Sequence, residues 1–412
     1  MPSSLARHWQ LDRSITFLNH GSFGACPAAV LEAQREWRDR MEAEPIRFLA
    51  RELDVELTRA REALGSFVGA DPDDLAFVTN ATTAANIVLR SLRFESDDEI
   101  LSTDHEYNAI LNVARHVAAR DGARVVIAAL PFPAASPDEL AEPILAAATE
   151  RTRLAVISHA TSPTGLVLPI ERIVRALAER GIDTLVDGAH APGMLPLDVD
   201  AIGAAYYTGN LHKWVCAPKG SGFLHVRRDR QSAIRPATIS HGANAPDRGR
   251  SRFRLEFDWQ GTLDPTAWLS VPAAIDFVGG LVEGGWPAVM VRNHALAVRG
   301  RDLLADALRP YGGGAAASEE LLGSMAALTM PADGPLGGAA RAEQSSPLDT
   351  DPLQARIDEA FRVEVPIVGW PVPAAERPGP PTRTIRISMA LHNDIDDVER
   401  LAEALTAIAA TG

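Results

Sequence analysis

Between residues 75 and 226 short apolar runs alternate with amphipathic stretches, and this alternation constrains the fold more than any other feature of the chain. Strand candidates at 75–79, 99–103, 125–130, 154–158 and 184–187 are separated by helical stretches beginning near Ala84, Asn108, Asp138 and Ile170. Repetition of this length predicts an α/β fold, a mainly parallel central sheet flanked by helices. Gly222–Val226 is a further strand candidate, antiparallel to its neighbours. In parallel sheets ligands bind beyond the carboxyl ends of the strands. Thr82, His105, His159, Asp187, His190 and Thr208 all fall at such ends, so the pattern predicts one shared site.

The flanks are organised differently. Residues 15–18 read as a short strand, Asn19–Gly24 as a polar, Gly-rich turn, and two helices follow over about 27–44 and 48–68. Residues 240–259 lack periodicity and are expected to form a long loop before a helix over 265–278. Beyond 279 come a long helix (285–308), strand candidates at 325–330, 363–368 and 384–389, and a last helix (395–409). Pro/Gly-rich stretches at 312–314, 331–347 and 371–381 punctuate them. With 412 residues the chain is too long for one small core. The expected division is an N-terminal segment (1–20) packing with the small domain, a large domain (21–278) and a small C-terminal α+β domain (279–412).

Bulk properties exclude several classes. A net charge of −14 argues against nucleic acid as a partner. The two cysteines, Cys26 and Cys216, sit in no metal-ligand spacing and make no disulfide scaffold, so no metal is expected and a reducing cytoplasm is the expected setting. The N-terminus has no signal-peptide core, and no apolar run reaches the roughly 18 residues of a membrane span.

The chemistry concentrates in two stretches. Leu185-Val186-Asp187-Gly188-Ala189-His190 is an apolar run ending in an acid. Tyr206-Tyr207-Thr208-Gly209-Asn210-Leu211-His212-Lys213-Trp214 is a second run leading into a turn that carries a lysine. A carboxylate and a lysine at neighbouring strand ends are what a pyridoxal phosphate enzyme needs: one keeps the pyridine nitrogen protonated, the other anchors the cofactor and moves protons. Asn80-Ala81-Thr82-Thr83, between a strand and a helix, offers free N–H groups and hydroxyls to an anion, and the same residues also make a plain helix cap. Arg386 alternates with isoleucines in a strand; it either faces water or grips a carboxylate.

Together these stretches, with Phe17–Gly24, His105-Glu106-Tyr107-Asn108-Ala109 and Ser158–Gly165, resemble the aminotransferase class V family of pyridoxal phosphate enzymes of fold type I, and within it the isopenicillin N epimerase group. The resemblance implies Lys213 as cofactor anchor and proton carrier, Asp187 as partner of the pyridine nitrogen, His105 stacking on the ring and His190 on the phenolic oxygen. It implies a phosphate site of Ala81 (through its N–H), Thr82, Thr208 and His212, completed by Gly261 and Thr262 of a second subunit in a homodimer. Asn19, His20 and Gly21 would line the entrance for a small amino-acid substrate, and Arg386 would hold its α-carboxylate. Cysteine desulfurases of this family carry a nucleophilic cysteine shortly before the matching arginine. Residues 363–386 contain none, which disfavours a persulfide-forming reaction and leaves epimerisation, C–S lysis and transamination. Tyr107 and His20 are the candidates for a second proton donor.

Overall fold

A computed structural model describes residues 3–247, 249–337, 350–370 and 382–411. The alternating pattern folds as a seven-stranded sheet. Its strands are β2 (Leu75–Val78), β3 (Glu99–Thr103), β4 (Arg124–Ala128), β5 (Thr152–Ser158), β6 (Asp183–Asp187), β7 (Tyr206–Asn210) and β8 (Gly222–Val226), with β1 (Thr16–Phe17) lying outside it. The order is β2-β8-β7-β6-β5-β3-β4. The β3–β4, β3–β5, β5–β6 and β6–β7 pairs are parallel; β8 is antiparallel to both β7 and β2. Every residue of β2, β3, β7 and β8 is buried, as expected of strands covered on both faces.

Because β8 is a single antiparallel insertion, β2 runs with β7, and Asn80 and Asn210 emerge at the same edge of the sheet. Gly222 makes the approach possible: a Cβ there would sit 2.9 Å from the Gly209 carbonyl oxygen and 3.0 Å from Asn80 Cα.

A second, three-stranded antiparallel sheet has the order β11 (Ile367–Trp370), β12 (Thr382–Ser388), β9 (Met325–Thr329). The helix Gly285–Leu308 packs on it and on the last helix, Ile395–Thr411. The apolar run 363–368 divides between two sheets. Its first half is β10 (Val363–Glu364), which pairs in parallel with β1, and its second half begins β11. One periodic stretch in sequence thus ties the N-terminal segment to the small sheet.

Three expectations change. Residues 240–259 hold a 3-10 turn (His241–Asn244) and a helix (Arg252–Asp258) rather than a continuous loop. That helix is capped by Ser251, whose hydroxyl accepts from the Arg254 N–H, and pinned by Asp258, which pairs with Arg61, Arg250 and Arg254. Arg250 and Arg254 are local, but Arg61 comes from 197 positions away, and that tertiary anchor leaves no local period. The Gly-rich turn contains one helical turn, His20–Phe23. It stops at Gly24, where φ is +70° and a Cβ would lie 2.0 Å from the His212 carbonyl oxygen, so only glycine lets this segment pass against the lysine loop. The helix expected over 265–278 breaks at Ser270 into Thr266–Leu269 and Val271–Gly279. Of the Pro-rich stretches, 338–347 and 371–381 lie outside the described residues.

Candidate active site

The carboxyl ends of β3, β5, β6 and β7, joined by β12, converge on one buried polar cluster. Asp187 closes β6; its carboxylate accepts from the Ala189 N–H at 3.0 Å, and it has no ion-pair partner among the described residues. Burial raises its pKa, which the Ala189 N–H and the Lys213 charge oppose. A buried carboxylate without a cation calls for one, and a protonated ring nitrogen meets that need.

Lys213 sits in the turn after β7, with Nζ 3.0 Å from His190 Nε2. Loss of solvent is the main cause that pushes its pKa down to about 7; the Arg386 charge adds to this and Asp187 opposes it. A large fraction is therefore neutral near pH 7, the state needed of a nucleophile and base. His190 is also neutral, held well below the ordinary histidine range by burial and by the Lys213 and Arg386 charges.

Arg386 does not face water. It is 3% exposed, and only neutral acceptors meet it. Nη1 donates to the Ser162 carbonyl, Nη2 to the Ser22 hydroxyl at 3.0 Å, and Nε has no partner. Burial lowers its pKa to about 10, so it stays charged. Ser22 in turn donates to Asn19 Oδ1 at 2.5 Å, and Asn19 donates to Glu364 at 2.8 Å. Asn19 and Ser22 thus steady the guanidinium. Gly21 packs where a Cβ would come within 2.8 Å of Met325 Sδ and Ser388 Oγ.

Several expected site residues take other positions. Ala81 N–H donates to Asn210 Oδ1 at 2.8 Å and is not free for a phosphate. Asn80 accepts from the Thr83 N–H at 2.8 Å, so the cap reading holds as well. The Thr82 N–H and hydroxyl take part in no hydrogen bond among the described residues and remain as donors. Thr208 is spent: its hydroxyl donates to the Phe223 carbonyl at 2.7 Å. His212 Nδ1 donates to the Ser221 carbonyl at 2.9 Å, leaving Nε2 toward the site, with the pKa lowered to about 4 by burial. His20 is no entrance residue. It is fully buried, with its two nitrogens bound to His392 Nε2 (3.0 Å) and the Lys213 carbonyl (3.1 Å), so it supports the lysine loop.

His105 uses both nitrogens, on Thr164 Oγ1 (2.7 Å) and the Leu130 carbonyl (3.4 Å). It is not placed to transfer protons, and what it offers is a ring face. Trp370 meets that ring at 4.6 Å between centroids, so a stacking cofactor must share the space with the indole or displace it. Gly261 is surrounded by open space and Thr262 is exposed; neither hydrogen-bonds to the cluster of its own chain.

Three residues went unassigned in the sequence. Asn210 ends β7 and orients the Ala81 turn; a polar residue closing a fully buried strand was its only signal. Ser162 receives Arg386. Glu106 is fully buried: Oε1 accepts from Ser158 Oγ and the Tyr107 N–H, both at 2.8 Å, and Oε2 has no partner. Burial, then the neighbouring Asp187 charge, pushes its pKa up to about 8. Glu106 therefore keeps its proton, which leaves the charge on Asp187.

Between about pH 4.5 and 8 the folded chain holds this proton and the unfolded chain has released it, so the residue costs increasing stability as pH rises through that window. Glu106→Gln retains an acceptor for Ser158. With cofactor removed, the variant is expected to melt higher than wild type at pH 8, with the gap closing toward pH 5. A gap that did not vary with pH would mean Glu106 does not hold that proton.

A buried acid lacking a cation, a desolvated lysine and a buried arginine held only by neutral acceptors above a mainly parallel sheet are the arrangement of a pyridoxal phosphate enzyme of fold type I. The aminotransferase class-V profile matches residues 18–308, and the chain belongs to that family. It is 37% identical to isopenicillin N epimerase of Streptomyces clavuligerus, over 97% of this chain and 96% of that protein. It is 35% identical to putative L-cysteine desulfhydrase 1 of Oryza sativa subsp. japonica, over 97% and 84% respectively. Among solved structures, a cysteine desulfurase from Thermococcus onnurineus NA1 superposes with a TM-score of 0.80 at 18% identity, covering 100% of this chain and 99% of that one. The cystine C-S lyase C-DES gives 0.75 at 23%, covering 96% and 98%. Among the described residues no helix is long and apolar enough to cross a membrane, and no cluster of three or more His, Cys, Asp or Glu could hold a metal ion.

Proposed function

We propose that this pyridoxal phosphate enzyme removes the α-proton of a small amino acid and returns a proton to the opposite face, as an isopenicillin N epimerase-like racemase or epimerase. The observation that carries the reading is Arg386, a buried charge held only by neutral groups and with a free Nε. Such a guanidinium is stabilised by a carboxylate arriving with the substrate. When bound, the cofactor supplies an electrophile for the amino group and a sink for the charge left at Cα.

The chain's own residues supply the rest. Asp187, kept ionised while Glu106 keeps its proton, would hold a proton on the ring nitrogen. The Thr82 N–H and hydroxyl, the Asn210 amide and His212 would bind the phosphate, and His190 would donate to the phenolic oxygen. Lys213, neutral near pH 7, takes the α-proton at Nζ.

A second donor distinguishes epimerisation. His20 has no nitrogen to spare. Tyr107 fits better: it is partly buried, its hydroxyl makes no hydrogen bond among the described residues, and its pKa is raised by burial and Asp187, with Arg386 opposing. A neutral phenol under the influence of both charges would be the donor that protonates Cα.

The second reading, C–S lysis, is favoured by the identity to cysteine desulfhydrases. It needs α-proton removal and cleavage of the Cβ–S bond, with the sulfur leaving as sulfide, and no second proton donor at Cα. Incubating L-amino acids in heavy water separates the two. Epimerisation gives inverted product carrying α-deuterium, whereas lysis gives pyruvate, ammonia and sulfide from L-cysteine. Tyr107→Phe is expected to lower inversion by about 100-fold while leaving α-proton exchange of the starting enantiomer near wild type. Pyruvate as the sole product would sink the epimerase reading.

We further propose a homodimer in which Gly261 and Thr262 complete the phosphate site of the partner. Support comes from the exposure of Thr262, the open space around Gly261, and the exposed apolar side chains of Phe23, Ile46, Val55 and Leu263.

A further inference from the structure

Trp214 follows Lys213 directly, and none of the roles above uses it. Its indole is buried, packing 5.1 Å from the His20 ring between centroids, and Nε1–H donates to His190 Nδ1 at 3.4 Å. An indole nitrogen only donates. The His190 nitrogen that faces it must therefore accept, and it carries no proton. Burial, the largest cause, and the Arg386 charge keep His190 neutral even where Lys213 is uncharged. A neutral imidazole has a single N–H, so the proton sits on Nε2. That nitrogen lies 3.0 Å from Lys213 Nζ. An Nε2–H can only donate along this contact, and only an uncharged amine has a lone pair to accept it.

We propose that Trp214 is a positioning residue that fixes the tautomer of His190, and that through this bond the site holds Lys213 as a neutral amine. The chain of donors runs one way, from indole to imidazole to amine. A charged lysine would need to donate to Nε2, which would move the imidazole proton to Nδ1 and set two N–H groups against each other. Each state of the amine is thus coupled to the 3.4 Å Trp214–His190 hydrogen bond on the far side of the ring. The other charged or titrating groups acting on this pair are Arg386 from β12, Asp187 from β6 and His212 from the lysine turn. Arg386 keeps its charge near pH 7 and His212 stays neutral, while the Asp187 carboxyl, itself raised by burial, pulls the Lys213 pKa up. When the cofactor is bound, the same Nε2–H is the donor offered to its phenolic oxygen.

The proposal rests on Lys213 being the amine that captures the cofactor. Nitrogen-15 NMR of the full-length chain labelled at histidine reads the tautomer directly, with His190→Gln assigning the signal. His190 is expected in the Nε2–H form near neutral pH, and in Trp214→Phe, which keeps the aromatic packing and removes the donor, it is expected to become a mixture. The pH midpoint for capture of added pyridoxal phosphate is expected to rise by about one unit in Trp214→Phe. Finding the Nδ1–H form in wild type would overturn the proposal whether or not the variant folds. So would a Trp214→Phe protein with unchanged tautomer and midpoint, and in that case the cofactor reading would stand. Capture by Lys213→Ala with the wild-type pH profile would instead overturn the role of Lys213 and this proposal with it.

Discussion

Lys213→Ala is expected to lower turnover by on the order of 10⁴-fold, since it removes the cofactor's anchor and the base together. Its effect on stability should be small or of opposite sign. The ammonium form is desolvated and has no carboxylate within ion-pair distance among the described residues, and its one hydrogen bond goes to His190. Replacing a buried amine, whose charged form has no carboxylate partner, with a methyl group removes a desolvation cost as well as a contact. Melting temperature and circular dichroism should therefore match wild type while activity disappears. A variant that unfolds would show that the lysine holds the loop. The placement of His20 argues against this, because it binds the Lys213 backbone carbonyl and leaves the side chain free for chemistry.

Arg386→Gln should show the second largest effect, and its signature is double. Each hydrogen bond to a charged group contributes about 1.5–3 kcal/mol, so loss of a two-pronged grip on a carboxylate should reduce kcat/KM by on the order of 10²–10³-fold, mostly through KM. The second consequence concerns Lys213. The Arg386 charge is one of the two causes that depress the lysine's pKa. Without it Lys213 binds its proton more tightly, so the acidic limb of the pH–rate profile moves to higher pH. A structural role for Arg386 would lower stability without moving that limb. Loss of affinity with an unmoved limb would mean that the guanidinium contacts substrate but does not tune the base.

Much of this was legible in the chain. The strand–helix alternation carried the sheet, because fully buried parallel strands must be apolar throughout and must close on polar residues where the ligand sits. Asp187 and Lys213 were legible only in company: alone they read as a turn acid and a surface lysine, and the polar residues closing the neighbouring strands joined them into one site. The helix Arg252–Asp258 escaped notice because it is short and its long-range anchor is Arg61, far back along the chain. The division of 363–368 between two sheets escaped notice because a period of two is the same in either sheet.

The site shows the same boundary in finer grain. Residue type at a strand end indicates which groups can act, but not which of their hydrogen bonds are already taken. Ala81 and Thr208 have the right chemistry for a phosphate, and their donors are bound to Asn210 and Phe223. Glu106 and Trp214 looked like neighbours of the important residues; packing makes one a buried acid beside Asp187 and the other a donor behind His190. The sequence by itself determined the layered fold, the cofactor class and the pair at its centre, since these follow from local period and from residue chemistry at strand ends. Only the tertiary structure decided which donors are free, which charges lack partners and which protons stay in place, because those depend on burial and on contacts between residues hundreds of positions apart.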